Sequence, residues 1–224
     1  MTFQTQIESL IGFRLNNTSA STSECTQFLQ DGVREVINRV TTLTPQDTIK
    51  FCKQTSDDSN AGIIYTGKIY SIVRQHDDAS LLRKCTPIPA DLKTSALDID
   101  SIYYRSKYNP AYYIEGSTNA HGSKIYSAPA SAGSNNAILV TQVYYDTGLA
   151  FGDDDIDNFP SEYQYLVPLY AAIKVIEQKI SRLTTLEEDI ELSNTLNSTL
   201  ASLKQNYERA FVMASPQRQE KEEE

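Results

Sequence analysis

Apolar residues recur every three or four positions at both ends of this chain, and give way in the middle to short runs rich in tyrosine, isoleucine and valine. The change of character falls at Asn158–Lys174. Pro160, Ser161 and Glu162 form a helix-start signal there, because proline is tolerated where an N–H would be unpaired and Glu162 complements the helix dipole. Leu166, Leu169, Tyr170, Ile173, Ile176 and Ile180 then share one face, which requires a partner. Pro168 inside this pattern predicts a kink.

Three further helices are predicted. Phe3, Ile7, Leu10, Ile11 and Leu15 make a short amphipathic helix over residues 3–15 with Thr2 as its cap. Ser21 and Glu24 form a capping box ahead of a long stripe, Cys25, Phe28, Leu29, Val33, Val36, Ile37 and Val40, which ends near Pro45. Gly32 on this helix costs about 1 kcal/mol relative to alanine, so a close neighbour is expected to need the space. A second capping box at Thr185 and Glu188 opens a last helix bearing Leu192, Leu196, Leu200, Leu203, Tyr207 and Phe211. The turn around Leu183–Thr185 is short enough to make the final two helices antiparallel. The Ser21–Val40 and Leu186–Phe211 helices are the predicted partners of the 158–174 face.

Between the helical ends the period shortens. Thr48–Lys53 alternates weakly, Gln54–Asn60 reads as a polar turn, and Ile63–Val73 as a strand. Leu81–Ile88, Ser101–Lys107, Ala111–Glu115, Lys124–Ser127 and Ala137–Asp146 are further short strands separated by polar, Gly- or Pro-containing turns. The loops at Gly116–Gly122 and Ala128–Asn136 are expected to be exposed and mobile. The fold class is therefore α+β: a helical bundle from residues 1–47 and 151–212, an inserted antiparallel β-sheet or sandwich over 48–150, and an extended charged tail over 213–224.

Composition bounds the function. With 40% hydrophobic and 22% charged residues the chain can bury a core, and without a long apolar run or a basic-then-apolar start neither a membrane span nor a signal peptide is expected. A formal charge of −9 argues against binding nucleic acid by neutralising its phosphates, though it suits a wall past which DNA slides. Cys25, Cys52 and Cys85 are too few and too scattered for a disulfide framework or zinc site.

No catalytic set, cofactor site or metal site is read from the residues. Asp153, Asp155 and Asp157 alternate like a calcium loop, but Asn158 and Gln164 stand where that loop needs glycine and glutamate. His76 with Asp77 and Asp78 reads as a solvated turn, and His121 has no cysteine or histidine at ligand spacing. Gly62–Lys68 lacks the phosphate-loop spacing. The pairs Tyr103–Tyr104, Tyr112–Tyr113 and Tyr144–Tyr145, with Tyr108 and Tyr126, are different: in a strand each pair gives one ring to either face. The outward rings are either ordinary exposed tyrosines or an interface.

The order of three blocks carries a resemblance. Phe28–Val36 comes first, then Asn109–Gly116 with Lys124–Pro129, then Asn158–Tyr163 leading into Leu169–Lys174. Over about Cys25 to Phe211 this order resembles virion structural proteins of tailed bacteriophages, in particular the head-to-tail adaptor (connector or neck) family. The resemblance implies a non-enzymatic homo-oligomer, commonly a ring of twelve subunits in the virion neck, assembled in the host cytoplasm. Such a ring sits below the portal protein, extends the DNA channel without sequence-specific binding, and docks a tail or nozzle protein. It implies a portal-docking role for the tail, with Met213, Pro216, Arg218 and Lys221, and ring packing by Pro168, Tyr163, Tyr170, Tyr112 and Tyr144. From the charge balance, acids on the helical hairpin are expected to face that channel. Alternatives are another neck, tail-completion or baseplate protein, or a Tyr-rich module that binds carbohydrate or protein.

Overall fold

The computed structural model describes residues 1–15, 19–116, 122–186 and 190–215. The helices are α1 (Phe3–Ile11), α2 (Thr22–Leu43), α3 (Lys93–Leu97), α4 (Ser161–Gln164), α5 (Leu166–Leu186) and α6 (Ile190–Ala214). The strands are β1 (Cys52–Asp57), β2 (Ile63–Ile64), β3 (Ile69–Gln75), β4 (Leu82–Lys84), β5 (Thr86–Pro87), β6 (Ala111–Gly116), β7 (Ser123–Ala128) and β8 (Ile138–Val143). They form two compact units, Met1–Phe51 with Tyr145–Glu224, and Cys52–Tyr144. The fold class is α+β, with helices flanking the strands in sequence.

In the helical unit α5 is the central element, contacted by α1, α2 and α6. Leu166, Val167, Leu169, Ala171, Ala172, Val175 and Ile176 are all buried, so more than one face of α5 is covered. The sequence stripe marks only the larger side chains; small Ala171 and Ala172 fill the rest of the circumference where neighbours come close. A Cβ on Gly32 of α2 would stand 3.2 Å from both the Val167 carbonyl oxygen and the Tyr170 ring, so the neighbour that needs the space is the first turn of α5. On α6, Leu196, Leu203, Tyr207 and Phe211 are buried as the stripe requires, while Leu192 is exposed.

Pro168 does not kink a continuous helix. It lies in the first turn of α5, where its missing N–H is harmless, and the helix is instead divided at Tyr165, just after Gln164, the residue whose carbonyl a proline at 168 would leave without a donor. Helix α1 keeps its Thr2 cap but ends at Gly12, whose φ of 77° stops it, so Leu15 lies beyond the helix. The turn expected at Leu183–Thr185 is still α5, and the capping box with Glu188 falls outside the described residues. The tail expected from Met213 begins later, because α6 runs to Ala214.

The Ser21 capping box is present, with Glu24 N–H donating to Ser21 Oγ and Ser21 N–H to Glu24 Oε2 at 2.7 Å. Gln178 and Arg182 of α5 donate to the other carboxylate oxygen, joining α2 to α5. The Ser21 backbone bond, then its hydroxyl, then Gln178 and Arg182 hold the Glu24 carboxyl down to about 2, against a smaller opposing effect of burial. A depressed carboxylate stabilises the fold above the unfolded pKa and loses that contribution as pH falls towards 2. The half-exposed pair is screened, so Glu24→Gln is expected to cost about 1 kcal/mol at pH 7. Denaturant melts from pH 7 to 2 should show the difference from wild type shrinking below pH 4.5; a constant difference would contradict this linkage.

The second unit contains two four-stranded sheets, ordered β1-β8-β3-β4 and β2-β7-β6-β5. Every pairing is antiparallel except β5 with β6. Ile72, Ile138 and Val140 from one sheet share a core with Ile63 and Ile125 from the other, plus Cys85 between β4 and β5. The run read as one strand, Ile63–Val73, is two strands in different sheets, separated where Gly67 takes a φ of 148°. Leu81–Ile88 divides likewise into β4 and β5. The crossover after β2 is fastened by buried Gln142, which donates to Ile64 O at 2.7 Å and accepts from Thr66 N–H.

Two readings are overturned here. Gln54–Asp57, read as part of a polar turn, belongs to β1, because pairing with Thr141–Ile138 of β8 supplies a ladder that exposed polar side chains do not forbid. Ser101–Lys107, read as a strand, is a series of turns. Asp98 Oδ1 accepts from Asp100 N–H, Ser101 Oγ from Tyr103 N–H, and Ser106 Oγ from Tyr108 N–H. These local bonds occupy donors that a strand would present to a neighbour. The preceding short helix, α3, had no periodic signal in its five residues. Within Ala128–Asn136, Ser131 is buried and the buried Arg74 donates to Ala130 O, so part of that loop is held in place.

Candidate functional site

The residues singled out for function do not come together. Tyr163 is 0% exposed, packed between Phe51 and Phe211. Pro168 is buried, and Tyr170 is half-buried beside Tyr207. Tyr112 is half-buried against the β core, and Tyr144 lies under the Lys53 ammonium at 4.4 Å. Met213, in the last turn of α6, is 85% exposed next to exposed Val212. Pro216, Arg218, Lys221 and His121 lie outside the described residues. The tyrosine pairs behave as strand residues only at Tyr112–Tyr113, where Tyr113 turns inward and stacks on Tyr126; Tyr103 and Tyr104 are both exposed because they sit in turns.

The polar clusters have structural employment. The Asp153 carbonyl accepts from Phe3 N–H and the Phe151 carbonyl from Gln4 N–H, so the acidic run completes the start of α1. The Asp155 carboxylate accepts from Gln164 and the Asp146 carboxylate from the Asp157 and Gly148 N–H groups. His76 packs at a tilt against the Tyr108 ring, Asp77 pairs with Lys107, and Asp78 takes up Ser80; hydrogen bonds from Lys107 and Ser80 lower both carboxyls. Burial pushes the Cys85 thiol up to about 12 and Cys25 to about 11, the opposite of an activated nucleophile. Among the described residues no three His, Cys, Asp or Glu side chains gather as a metal site. Among the described acids of the last hairpin, Glu162 pairs with Lys50, Glu177 with Lys174 and Lys204, and Glu208 with Arg39. Their charge is locally offset, and of the described acids there Glu191 makes no ion pair among the described residues.

Two surfaces of the β unit stand out. The first is a cleft of about 520 Å³ along β1, β2 and the end of β8. Its wall is mainly apolar, with Ile63, Ile64 and Tyr144, and Lys53 at its side. Asp57 also lines it, but both its oxygens are occupied: Ser59 N–H, Ser59 Oγ and Ala61 N–H bond to one, and Gly62 N–H at 2.8 Å to the other. Burial raises this carboxyl and the bonds lower it further, for a net depression. Asp57 thus shapes the 58–62 turn and is not a free base.

The second is the connection from α3 to β6. Its base is anchored by Arg105 N–H to Ala96 O at 2.9 Å, the Lys107–Asp77 pair and the tilted Tyr108–His76 ring contact. Beyond that base Ile102 is 92% exposed and Ile99 75%, with Leu97, Tyr103 and Tyr104 also exposed. Each isoleucine forgoes roughly 1.5–3 kcal/mol of burial, a sacrifice soluble surfaces seldom repeat in one segment without a partner. A strand over 101–107 would have turned alternate side chains of this segment into a sheet, so the projection is not legible from its strand-forming residues. The signal was Asp98, Ser101 and Ser106, each placed two residues before an N–H that its side chain accepts.

No known family model matches the chain, and no curated protein matches it significantly. No helix among the described residues is long and apolar enough to cross a membrane.

Proposed function

We propose that this chain is a structural protein of a tailed-phage virion, a head-to-tail adaptor that works as a homo-oligomeric ring between the portal and the tail. The observation that carries the reading is the Leu97–Tyr108 connection, in which two isoleucines and several tyrosines are held out on an anchored base. Such a feature suits a permanent contact between proteins. The α+β arrangement and the block order from Phe28 to Lys174 support the same reading. Because most described acids of the last hairpin are paired, the reading rests on interfaces and not on an acidic channel lining.

The test is light scattering coupled to size exclusion, on the chain alone and mixed with the portal protein of the same virus. Expected is a monomer or a heterogeneous population alone and a ring-sized complex with portal. A compact monomer at every concentration that ignores portal would sink the adaptor reading.

A further inference from the structure

We infer that the Leu97–Tyr104 projection of one copy inserts into the β1–β2–β8 cleft of a second copy, giving a head-to-tail contact between different patches of the same β unit. The inference rests on the ring reading above and names the surfaces that would build it.

Three observations carry it. The projection and the cleft are both apolar at the centre: Ile99 and Ile102 on one, Ile63, Ile64 and Tyr144 in the other, with Ile64 itself 49% exposed. One charge of the cleft, Lys53, is complementary to those of the projection. Between Leu97 and Tyr104 the only ionisable acids or bases besides tyrosine are Asp98 and Asp100, both exposed, and neither makes an ion pair among the described residues. In the cleft, Lys53 pairs with no carboxylate among the described residues and rests on Tyr144, while the Asp57 carboxylate keeps its charge and is bound by N–H and O–H groups of its own turn. Finally, no residue of the projection lines the cleft of its own chain, so the insertion is made between two molecules.

Contact between two unlike patches is heterologous: each copy offers a projection to one neighbour and a cleft to the next, which produces a closed ring or an open filament instead of a symmetric pair. Buried isoleucines would supply most of the affinity, and Lys53 facing Asp98 and Asp100 would set the register.

Paired-cysteine trapping tests this, in a Cys52→Ser background because Cys25 and Cys85 are buried while Cys52 is only half-buried. One sample carries Ile102→Cys and the other Ile64→Cys. Under mild oxidation the mixture should give disulfide-linked dimers, each single sample much less, and a chain carrying both substitutions a ladder. Lys53→Glu should lower the yield about fivefold, and Asp100→Lys on the opposing copy should recover it. Ile102→Asp should weaken the association by about thirtyfold or more, with the circular-dichroism spectrum unchanged. If cysteine at 102 disturbs folding, Ile99→Cys takes its place.

Linking by Ile102→Cys alone as efficiently as by the mixture would mean a symmetric contact, and absence of linking in any sample would mean no such contact; either overturns the inference. The portal assay separates it from the broader reading. An Ile102→Asp chain that still forms a ring on portal discards the projection and keeps the adaptor. Normal cysteine trapping by a chain that ignores portal keeps the contact and discards the adaptor.

Discussion

Gly62→Ala is expected to unfold the β unit at markedly lower temperature than wild type. Gly62 has a φ of +82°, which costs a residue with a side chain about 1–2 kcal/mol. A Cβ there would also lie 2.6 Å from two atoms of the Tyr126 ring, which is itself stacked on Tyr113 with centroids 5.6 Å apart, so the ring has little freedom to retreat. Overpacking of this kind adds about 1–3 kcal/mol. The sum, about 2–5 kcal/mol, corresponds to a fall of roughly 10–25 °C for a unit of this size. Gly133→Ala is the matched control: its φ is +75°, yet nothing lies within 4 Å of its Cβ position, so only the backbone cost applies. Calorimetry of the two variants should show the Gly62 change as clearly the larger, with Tyr126→Ala recovering part of the loss in the double variant. Equal effects at the two glycines would disprove the steric part. The fall should also shrink binding at the cleft, because Gly62 lines it and bonds to Asp57.

Tyr163→Ala should be the most damaging single truncation in the helical unit. The side chain is wholly buried, its ring 5.4 Å from Phe51 and 6.4 Å from Phe211, and Phe51 in turn meets Phe159 edge-on at 5.2 Å. Removing a ring from such a cluster costs about 3–5 kcal/mol, through lost burial and the cavity that remains. Tyr165→Ala, two residues away and 52% exposed, should stay within about 0.5 kcal/mol of wild type. Urea melts of both variants decide the matter; a Tyr163→Ala loss below 1 kcal/mol would show that the cluster repacks. The result bears on assembly as well. A ring at zero exposure cannot touch a neighbouring subunit, so any assembly defect in this variant would act through folding.

Elements with long periodic patterns were readable from the chain. The Ser21–Glu24 box and the stripe from Cys25 to Val40 define α2 almost to the residue, because the cap and the helix are both local interactions. The strands β6, β7 and β8 lie where alternation places them. Failures arise where the deciding interaction is remote or where two local ones compete. Ile63–Val73 carries β-forming residues throughout, and nothing local reports that Ile63 pairs with β7 while Ile72 pairs with β8. Polar β1 is a strand only because β8 offers it a ladder. At 101–107 strand-forming residues lose to serine and aspartate side chains that capture nearby N–H groups.

The candidate surface follows the same division. Its ingredients, Ile99, Ile102 and the tyrosines, are plain in the chain, but their exposure depends on the base that Arg105, Lys107 and Tyr108 anchor to Ala96, Asp77 and His76. By itself the sequence determined α2, the buried stripe of α6, the Thr2 and Ser21 caps and the α+β class, since periodicity and capping act within a few residues. Only the tertiary structure decided which strands share a sheet, that Tyr163 is core, and that an apolar projection and an apolar cleft coexist on one unit. Those outcomes depend on contacts between residues far apart in the chain, which no local pattern encodes.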